Sequence, residues 1–330
     1  MCPQARGRVP YTAMGTPVVD LLLGPTASGK SAVAFELARR RGAEILSVDS
    51  MKIYRGLEIG VAKPTPEQRA AVRYHLVDWK DPWQGCSVAE WLAEAERVIA
   101  DCAGRGVRPI AEGGTALYLK SLREGLFAGP GRDPELRRKL DQESARAGVQ
   151  ALYARLQQVD PDAARKVLPG DLRRIVRALE VYELTGAPIS AKQSQWGRLR
   201  TDIRFRAACL TLDRKELYRR IDARVDAMLA AGWVEECRRL MDLPQPLSRE
   251  AQQALGYRRL FAHLRGELSL AQARERICFE THHFARRQLS WFRRFPGVTW
   301  VEAAPGESAE SLANRVAHVW ESANHANQRE

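Results

Sequence analysis

The sequence predicts an α/β fold, in which a parallel sheet carries helices on both faces and an all-helical domain is inserted into the chain. Short apolar runs alternate with helical stretches in the first third of the chain, which is the pattern of a parallel sheet. A Gly- and Pro-rich stretch at residues 125–134 breaks this pattern, and a charged helical region follows it. Apolar runs then resume, so we expect the sheet to be completed after the insertion.

The individual elements follow from these runs. Strands are predicted at residues 18–23, 44–48, 109–111, 205–212 and 298–301, and helices at residues 31–41, 87–102 and 272–294. The domain prediction has a disordered leader at 1–15, a core at 16–132 and 202–302, a helical insertion at 133–201 and a C-terminal tail at 303–330. Because the leader lacks periodicity, Met1 and Met14 are both left as candidate starts.

Composition narrows the class of protein. The 330 residues, 45% of them apolar, are enough to bury a sizeable core, and a formal charge of +12 favours a polyanionic partner such as nucleic acid. The six cysteines are scattered without a C-x-x-C pair, which argues against a disulfide framework and a zinc site. No apolar stretch reaches membrane-span length. We therefore expect a cytoplasmic protein, and a monomer.

A complete phosphate-binding loop follows the first predicted strand. Its glycines allow backbone N–H groups to converge on a phosphate, Lys30 adds a positive charge, and the Ser31 hydroxyl can ligate Mg²⁺. The predicted fold is therefore P-loop NTPase-like, with a di- or triphosphate bound at this loop. The loop residues are Gly24, Pro25, Thr26, Ala27, Ser28, Gly29, Lys30 and Ser31.

Two further loops are expected at the same edge of the sheet, since ligands bind where parallel strands end. Asp49 and Ser50 end the second strand, so Asp49 is placed to act on a group near the phosphate; a helix cap or a Mg²⁺ ligand is the alternative. Thr115 ends the Glu112-Gly113-Gly114-Thr115 loop, which is either a second ligand loop or a plain capped turn. No other apolar strand ends in Asp, so a standard ATPase metal site is not predicted, which weakens a kinase interpretation.

Two arginine-rich helices are candidates for binding phosphates. In the insertion, Asp171 can cap a helix whose apolar stripe leaves Arg173, Arg174 and Arg177 on the other side. Near the C terminus, the helix at 272–294 interleaves six arginines with Trp291 and Phe292, a combination suited to phosphate contacts and base stacking. A solvated arginine face over a core of Ile277, Phe284 and Trp291 is the alternative.

The histidines give no sign of a metal site. His75, His282 and His283 have no partners at metal-ligand spacing in the sequence. We assign them no metal role.

Together these segments resemble the bacterial tRNA dimethylallyltransferases, also called tRNA isopentenyltransferases. The resemblance covers roughly residues 18–295 and several of its motifs are particular to that family. The matching segments are GPTASGKS, DSMKIYRGLEIGVAKP, YHLVDWKDP, SVAEW, GGTALYLKSLREGL, DLRRIVRALEVYELTGAPIS, QALGYRRL and ARRQLSWFRR. The resemblance implies transfer of a dimethylallyl group from its diphosphate to the exocyclic N6 amine of the adenosine 3′-adjacent to the anticodon.

The resemblance also implies residue roles. Asp49 would be the general base, while Lys30, Mg²⁺ held by Ser31, the loop amides and Arg287 would stabilise the departing diphosphate, and Thr115 would act in the same centre. The co-substrate would be dimethylallyl diphosphate and the partner a tRNA anticodon stem-loop. The implied tRNA contacts are Asp49, Ser50, Met51, Lys52, Thr115, Arg137, Arg173, Arg174, Ile175, Val176, Arg177, Gln253, Gly256, Tyr257, Arg258, Arg286, Arg287, Gln288 and Arg293.

The sequence departs from the family pattern at four positions. It has Lys52 where Gln is common, Val61 where Thr is common, Glu112 where an apolar residue is common, and Ala116 where Gly is common. Glu112 puts a negative charge near the expected diphosphate. The other functions to be weighed are a P-loop small-molecule kinase, an RNA-binding nucleotide switch without prenyl chemistry, and an enzyme that prenylates free adenine nucleotides.

Overall fold

A six-stranded, fully parallel sheet forms the centre of the larger part of the computed structural model, which describes residues 15–126, 129–192 and 198–326. Its order is β3-β2-β4-β1-β5-β6, and helices pack against it, which confirms the predicted fold class. The strands are β1 (Val18–Leu23), β2 (Ile45–Val48), β3 (Tyr74–His75), β4 (Ile110–Gly113), β5 (Arg204–Thr211) and β6 (Val298–Glu302). The last two strands follow the insertion in sequence, as predicted.

Contacts divide the chain into two units. The first unit comprises residues 1–123 and 201–330, and the second comprises Glu124–Arg200. Helices of the first unit are α1 (Lys30–Arg41), α2 (Pro66–Ala71), α3 (Val88–Gly104), α4 (Ala116–Glu124), α10 (Arg214–Ala230), α11 (Trp233–Met241), α12 (Tyr257–Leu264), α13 (Leu270–Phe292) and α14 (Ala309–Ala326). None of the helices within the described ranges is both long and apolar enough to cross a membrane.

The described residues of the second unit form helices and the loops between them, without a strand. It contains α5 (Pro134–Ala147), α6 (Val149–Val159), α7 (Pro161–Ala164), α8 (Leu172–Thr185) and α9 (Ile189–Lys192). Asp171 caps α8 by accepting a hydrogen bond from the Arg174 N–H at 3.2 Å, as the sequence predicted. The apolar face of α8 is buried with Leu152 and Leu156 of α6, so this unit has a core of its own.

The register of the central strands sets the position of the loops that follow them. Leu23 of β1 pairs with Gly113 of β4, and Gly113 also pairs with Val48 of β2, so these three strands end at one level. A Cβ atom on Gly113 would lie 2.1 Å from the Val48 carbonyl oxygen, so only glycine allows this close approach. The phosphate-binding loop, Asp49 and Thr115 therefore all leave the sheet at the same edge.

The structure corrects several predictions made from sequence. The C-terminal tail contains α14, and the sequence did not predict that Leu312, Val316 and Trp320 of this helix are buried in the main core. The two-residue strand β3 was not predicted, since it is too short to show a period. Trp291, assigned to a core in one interpretation of α13, keeps 37% of its surface exposed, whereas Ile277 is buried. The predicted leader lies outside the described residues, apart from Gly15.

Candidate active site

The phosphate-binding loop has the backbone geometry of an anion site. A Cβ atom on Gly24 would lie 2.7 Å from the buried Ser28 hydroxyl oxygen, so this position needs glycine. Gly29 has φ of 88°, a left-handed conformation that glycine adopts without strain, and α1 begins directly after it at Lys30. The N-terminal N–H groups of α1 are thus aimed at the sheet edge, where they attract a phosphate.

Two cationic side chains lie at this loop. The Lys30 ammonium donates to the Pro25 carbonyl oxygen at 3.4 Å, and Arg224 of α10 donates to the Thr26 hydroxyl at 3.4 Å. Burial lowers the pKa of both side chains, and the negative charges of Asp49 and Glu112 partly oppose that shift. Arg224 was missed by the sequence analysis, because nothing in the pattern of α10 marks one of its many arginines as different.

Glu112 is the buried acid of this site. Its Oε1 accepts a hydrogen bond from the Ser31 hydroxyl at 2.7 Å, and its Oε2 lies 3.6 Å from the Lys52 ammonium. Desolvation raises the pKa of Glu112, but the charges of Lys52 and Lys30 and the Ser31 hydrogen bond outweigh it, so the pKa lies below its usual value. The carboxylate is therefore ionised at neutral pH, beside the proposed metal ligand.

Among the predicted strands, only the one before Asp49 ends in Asp. The structure shows that an acid within a strand, Glu112, also contacts the phosphate-binding loop. The structure places Glu112 in β4, directly beside β1, within hydrogen-bond distance of the loop serine. The absence of a second strand that ends in Asp therefore does not by itself exclude a kinase.

Asp49 and Thr115 meet at the edge of the sheet. Oδ1 of Asp49 accepts hydrogen bonds from the N–H groups of Met51 at 2.8 Å and Lys52 at 3.3 Å, so Asp49 caps the turn that follows β2. The Thr115 hydroxyl accepts from the Ser50 N–H at 3.1 Å. Within the described residues, Oδ2 of Asp49 accepts no hydrogen bond. The carboxylate is thus fixed in orientation through Oδ1, and Oδ2 is left without a hydrogen bond from these residues.

Gln288 of α13 joins two of these loops. Its Oε1 accepts from the Thr26 N–H at 2.8 Å, and its Nε2 donates to the Gly114 carbonyl oxygen at 2.9 Å. Its Oε1 and Nε2 are each bonded to a loop and only 4% of its surface is exposed, so Gln288 has a structural position, and the tRNA contact that the resemblance implied stays a prediction. Its neighbour Arg287 is exposed on the same helix.

The candidate tRNA contacts of the second unit fall into two groups. Arg173 and Arg174 are exposed, whereas Ile175 and Val176 are buried in the core and offer no side-chain atom to an RNA. Arg137 and Arg177 both bind the buried Glu180, with nitrogen to oxygen distances of 2.7 Å and 2.6 Å. These two arginines are held by a structural ion pair.

The candidate tRNA contacts in and next to α12 and α13 also include both exposed and buried residues. Gln253, Arg258, Arg286 and Arg293 are exposed, but Gly256 and Tyr257 are buried. The Tyr257 hydroxyl donates to Glu236 at 2.6 Å, and Glu236 also accepts from the backbone N–H of Ile59 at 2.7 Å. Tyr257 therefore helps to hold the loop after β2.

A second cluster of polar side chains lies at Glu44, His75 and Cys102, whose ligand atoms are within 4.8 Å of one another. The sequence spacing did not reveal it. Arg105 donates to both Glu44 oxygens, at 2.7 Å and 2.9 Å, and burial raises the pKa of the Cys102 thiol to about 12. A carboxylate occupied by a guanidinium and a protonated thiol are poor metal ligands, so we interpret this cluster as an ion pair.

The loop between β1 and α1, and the strand order around it, define a P-loop NTPase-like protein. The comparisons with known proteins are more specific. The chain belongs to the IPP transferase family, whose model matches residues 52–295. It is 48% identical over 303 residues to the tRNA dimethylallyltransferase of Anaeromyxobacter dehalogenans (strain 2CP-C), covering 90% of this chain and 98% of that protein.

Solved structures agree with this family. The tRNA isopentenylpyrophosphate transferase of Bacillus halodurans has a TM-score of 0.67 and 33% identity, covering 95% of this chain and 99% of that one. A eukaryotic dimethylallyltransferase acting on tRNA has a TM-score of 0.78 and 25% identity, covering 94% of this chain and 80% of that one. The fold of the described chain is thus that of known tRNA-prenylating enzymes.

Proposed function

We propose that this member of a tRNA-prenylating enzyme family transfers the dimethylallyl group of dimethylallyl diphosphate to the N6 amine of the adenosine 3′-adjacent to the anticodon, releasing diphosphate. The reaction is supported by three loops that leave the sheet at the same edge. The phosphate-binding loop, Asp49 and Thr115 follow strands that end in register. A diphosphate held by the loop would therefore lie close to the Asp49 carboxylate. We expect a cytoplasmic monomer.

The proposed chemistry is a substitution at the first carbon of the prenyl group. The N6 nitrogen forms a bond to that carbon while the bond from carbon to the diphosphate oxygen breaks, and the diphosphate takes the electron pair. As this bond forms, the amine loses a proton, which Oδ2 of Asp49 would accept. An adenine amine is a weak nucleophile, so a base placed within hydrogen-bond distance contributes by taking this proton as the bond forms.

Leaving-group stabilisation is assigned to the phosphate-binding loop. Lys30, the N–H groups at the start of α1 and Arg224 would face the charge that develops on the diphosphate, and Arg287 would add a cation from α13. The Ser31 hydroxyl, with the Glu112 carboxylate hydrogen-bonded to it, fits Mg²⁺, which prefers oxygen ligands and a substrate phosphate. When bound, Mg²⁺ would neutralise part of the diphosphate charge.

The proposed tRNA contacts are those arginines that the structure leaves exposed. Arg173 and Arg174 in the second unit, and Arg258, Arg286 and Arg293 in the first, have surface guanidinium groups suited to backbone phosphates. The target adenine must leave its stack to react, which costs a few kcal/mol, and phosphate and stacking contacts can offset that cost.

The purified protein tests this proposal directly. We expect labelled dimethylallyl diphosphate to give a prenylated product with an anticodon stem-loop that has adenosine after the anticodon, and no product with the same RNA carrying guanosine there. A parallel reaction with ATP decides the kinase alternative, because Glu112 leaves that alternative chemically possible. Consumption of ATP without a prenylated RNA would overturn the proposal.

A further inference from the structure

We propose that Glu112 supports a divalent-cation site at Ser31, by accepting a hydrogen bond from the Ser31 hydroxyl and placing a carboxylate beside the cation. This inference rests on the proposed donor site, in which a diphosphate and a divalent cation occupy the phosphate-binding loop. It assigns a role to a carboxylate that the family resemblance does not supply, since an apolar residue is common at this position.

The hydrogen bond between the two side chains has the direction that metal binding requires. Ser31 donates its proton to Oε1 of Glu112 at 2.7 Å, so the lone pairs of the hydroxyl oxygen remain available to a cation. A partner that accepts the proton of a ligand fixes the orientation of that ligand and raises its basicity. Glu112 is thus a positioning residue for Ser31.

The location of Glu112 is also appropriate for an acid next to a cation. It pairs in register with Leu22 of β1, two residues before the phosphate-binding loop starts, and is 2% exposed. The 2.7 Å hydrogen bond therefore holds this buried carboxylate next to the hydroxyl that would ligate the cation.

Lys52 explains how a buried carboxylate is tolerated beside a diphosphate site. Its ammonium lies 3.6 Å from Oε2 of Glu112, while Oε1 faces Ser31. An uncompensated buried carboxylate would be costly and would repel the substrate, but Lys52 balances its charge. Lys52 and Glu112 are two of the positions that depart from the family pattern, and the structure shows that these two departures are partners.

Binding of Mn²⁺ and inorganic pyrophosphate tests the inference without catalysis. Electron paramagnetic resonance of Mn²⁺ would be measured with the full-length protein and excess pyrophosphate, for the wild type, Glu112→Gln and, as a matched buried carboxylate of the second unit, Glu180→Gln. We expect Glu112→Gln to weaken Mn²⁺ binding about 10- to 100-fold, the range for loss of a residue that supports a metal ligand, and Glu180→Gln to leave it unchanged. Unchanged Mn²⁺ affinity in folded Glu112→Gln would overturn the inference.

One further variant separates the alternatives. If Glu112 only neutralised Lys52, the double variant Lys52→Gln/Glu112→Gln would recover wild-type Mn²⁺ affinity; we expect it to stay weak, and recovery would overturn the inference. The double variant also avoids an unpaired buried lysine, so it keeps the test valid if Glu112→Gln does not fold. A wild-type protein that bound no Mn²⁺ with pyrophosphate would instead remove the proposed donor site, and the inference with it.

Discussion

The backbone N–H of Thr26 donates a 2.8 Å hydrogen bond to the side chain of Gln288, although 262 positions separate the two residues. The Nε2 atom of Gln288 donates to the Gly114 carbonyl oxygen, and a Cβ atom on Gly114 would lie 2.2 Å from this Nε2. One buried side chain therefore fixes the phosphate-binding loop relative to the loop that carries Thr115. Helix α13 therefore holds the phosphate-binding loop in place and also carries exposed arginines.

Replacement of Gln288 is predicted to impair donor binding more than RNA binding. Gln288→Ala leaves the Thr26 N–H and the Gly114 carbonyl unpaired, which costs about 1–3 kcal/mol for each buried group that water cannot reach. We expect a lower unfolding temperature and weaker pyrophosphate binding, measured by calorimetry, with the affinity for the stem-loop nearly unchanged. Ser290→Ala, an exposed position of α13, is the control. Selective loss of RNA affinity would return Gln288 to a role in tRNA contact.

Asp49 is predicted to act as a base through one oxygen while the other holds a turn. Asp49→Asn keeps an acceptor for the N–H groups of Met51 and Lys52 but cannot take a proton, whereas Asp49→Ala removes both functions. We expect both variants to lower kcat by about 10²- to 10⁴-fold, the range for loss of a general base. Single-turnover kinetics and RNA affinity would be measured together. If Asp49→Asn turned over normally while Asp49→Ala did not, Asp49 would have only the structural role.

The lowered pKa of Lys30 predicts how donor binding depends on pH. Burial lowers the pKa of Lys30, so its charge is lost at a lower pH than that of an exposed lysine. Its contribution to pyrophosphate affinity is therefore complete at low pH and falls as the pH rises through this pKa. The ratio of wild-type to Lys30→Met affinity across a pH series measures the contribution, because ionisation of pyrophosphate affects both proteins equally.

Lys30→Arg provides the control for that series. An arginine stays protonated over the whole pH range. The decrease in pyrophosphate affinity at high pH, relative to Lys30→Met, should therefore disappear in Lys30→Arg. An identical decrease in Lys30→Arg would show that another group titrates. Calorimetry also gives the pyrophosphate affinity of Lys30→Met at neutral pH. If the Lys30 ammonium contacts the ligand, this variant should bind pyrophosphate weakly.

The sequence predicted those parts of the site that depend on local motifs. The loop from Gly24 to Ser31, Asp49 after β2 and Thr115 after β4 were all found from a strand pattern followed by loop residues, and the parallel arrangement places them at one edge. The hydrogen bonds of Glu112 with Ser31, of Arg224 with Thr26, and of Gln288 with two loops were not predicted. Each depends on a contact between distant elements, and such a contact is decided by which face of a strand or helix is packed, which one sequence does not reveal.

The same limit applies to the arginines of α8. All three share the polar side of the predicted helix, but Arg177 binds Glu180 and the Pro130 carbonyl oxygen, while Arg173 and Arg174 are exposed. Together with Arg137, Arg177 lowers the pKa of Glu180 to about 2, against the effect of burial. Arg177 is thus expected to support the second unit, and the phosphate contacts are expected from Arg173 and Arg174.

The double variant Arg173→Ala/Arg174→Ala is therefore predicted to reduce the salt dependence of tRNA binding. Each lost phosphate contact lowers the slope of log K against log salt by roughly 0.7 to 0.9, so the pair should remove about 1.4 to 1.8. Arg165→Ala, an exposed arginine of the same unit with 76% side-chain exposure, is the control and should leave the slope unchanged. Arg177→Ala should instead destabilise the unit, because it leaves the buried Glu180 with one partner fewer. RNA affinity would be measured over a salt series, with circular dichroism to check that each variant is folded. An unchanged slope in the folded double variant would mean that Arg173 and Arg174 are only solvated surface residues.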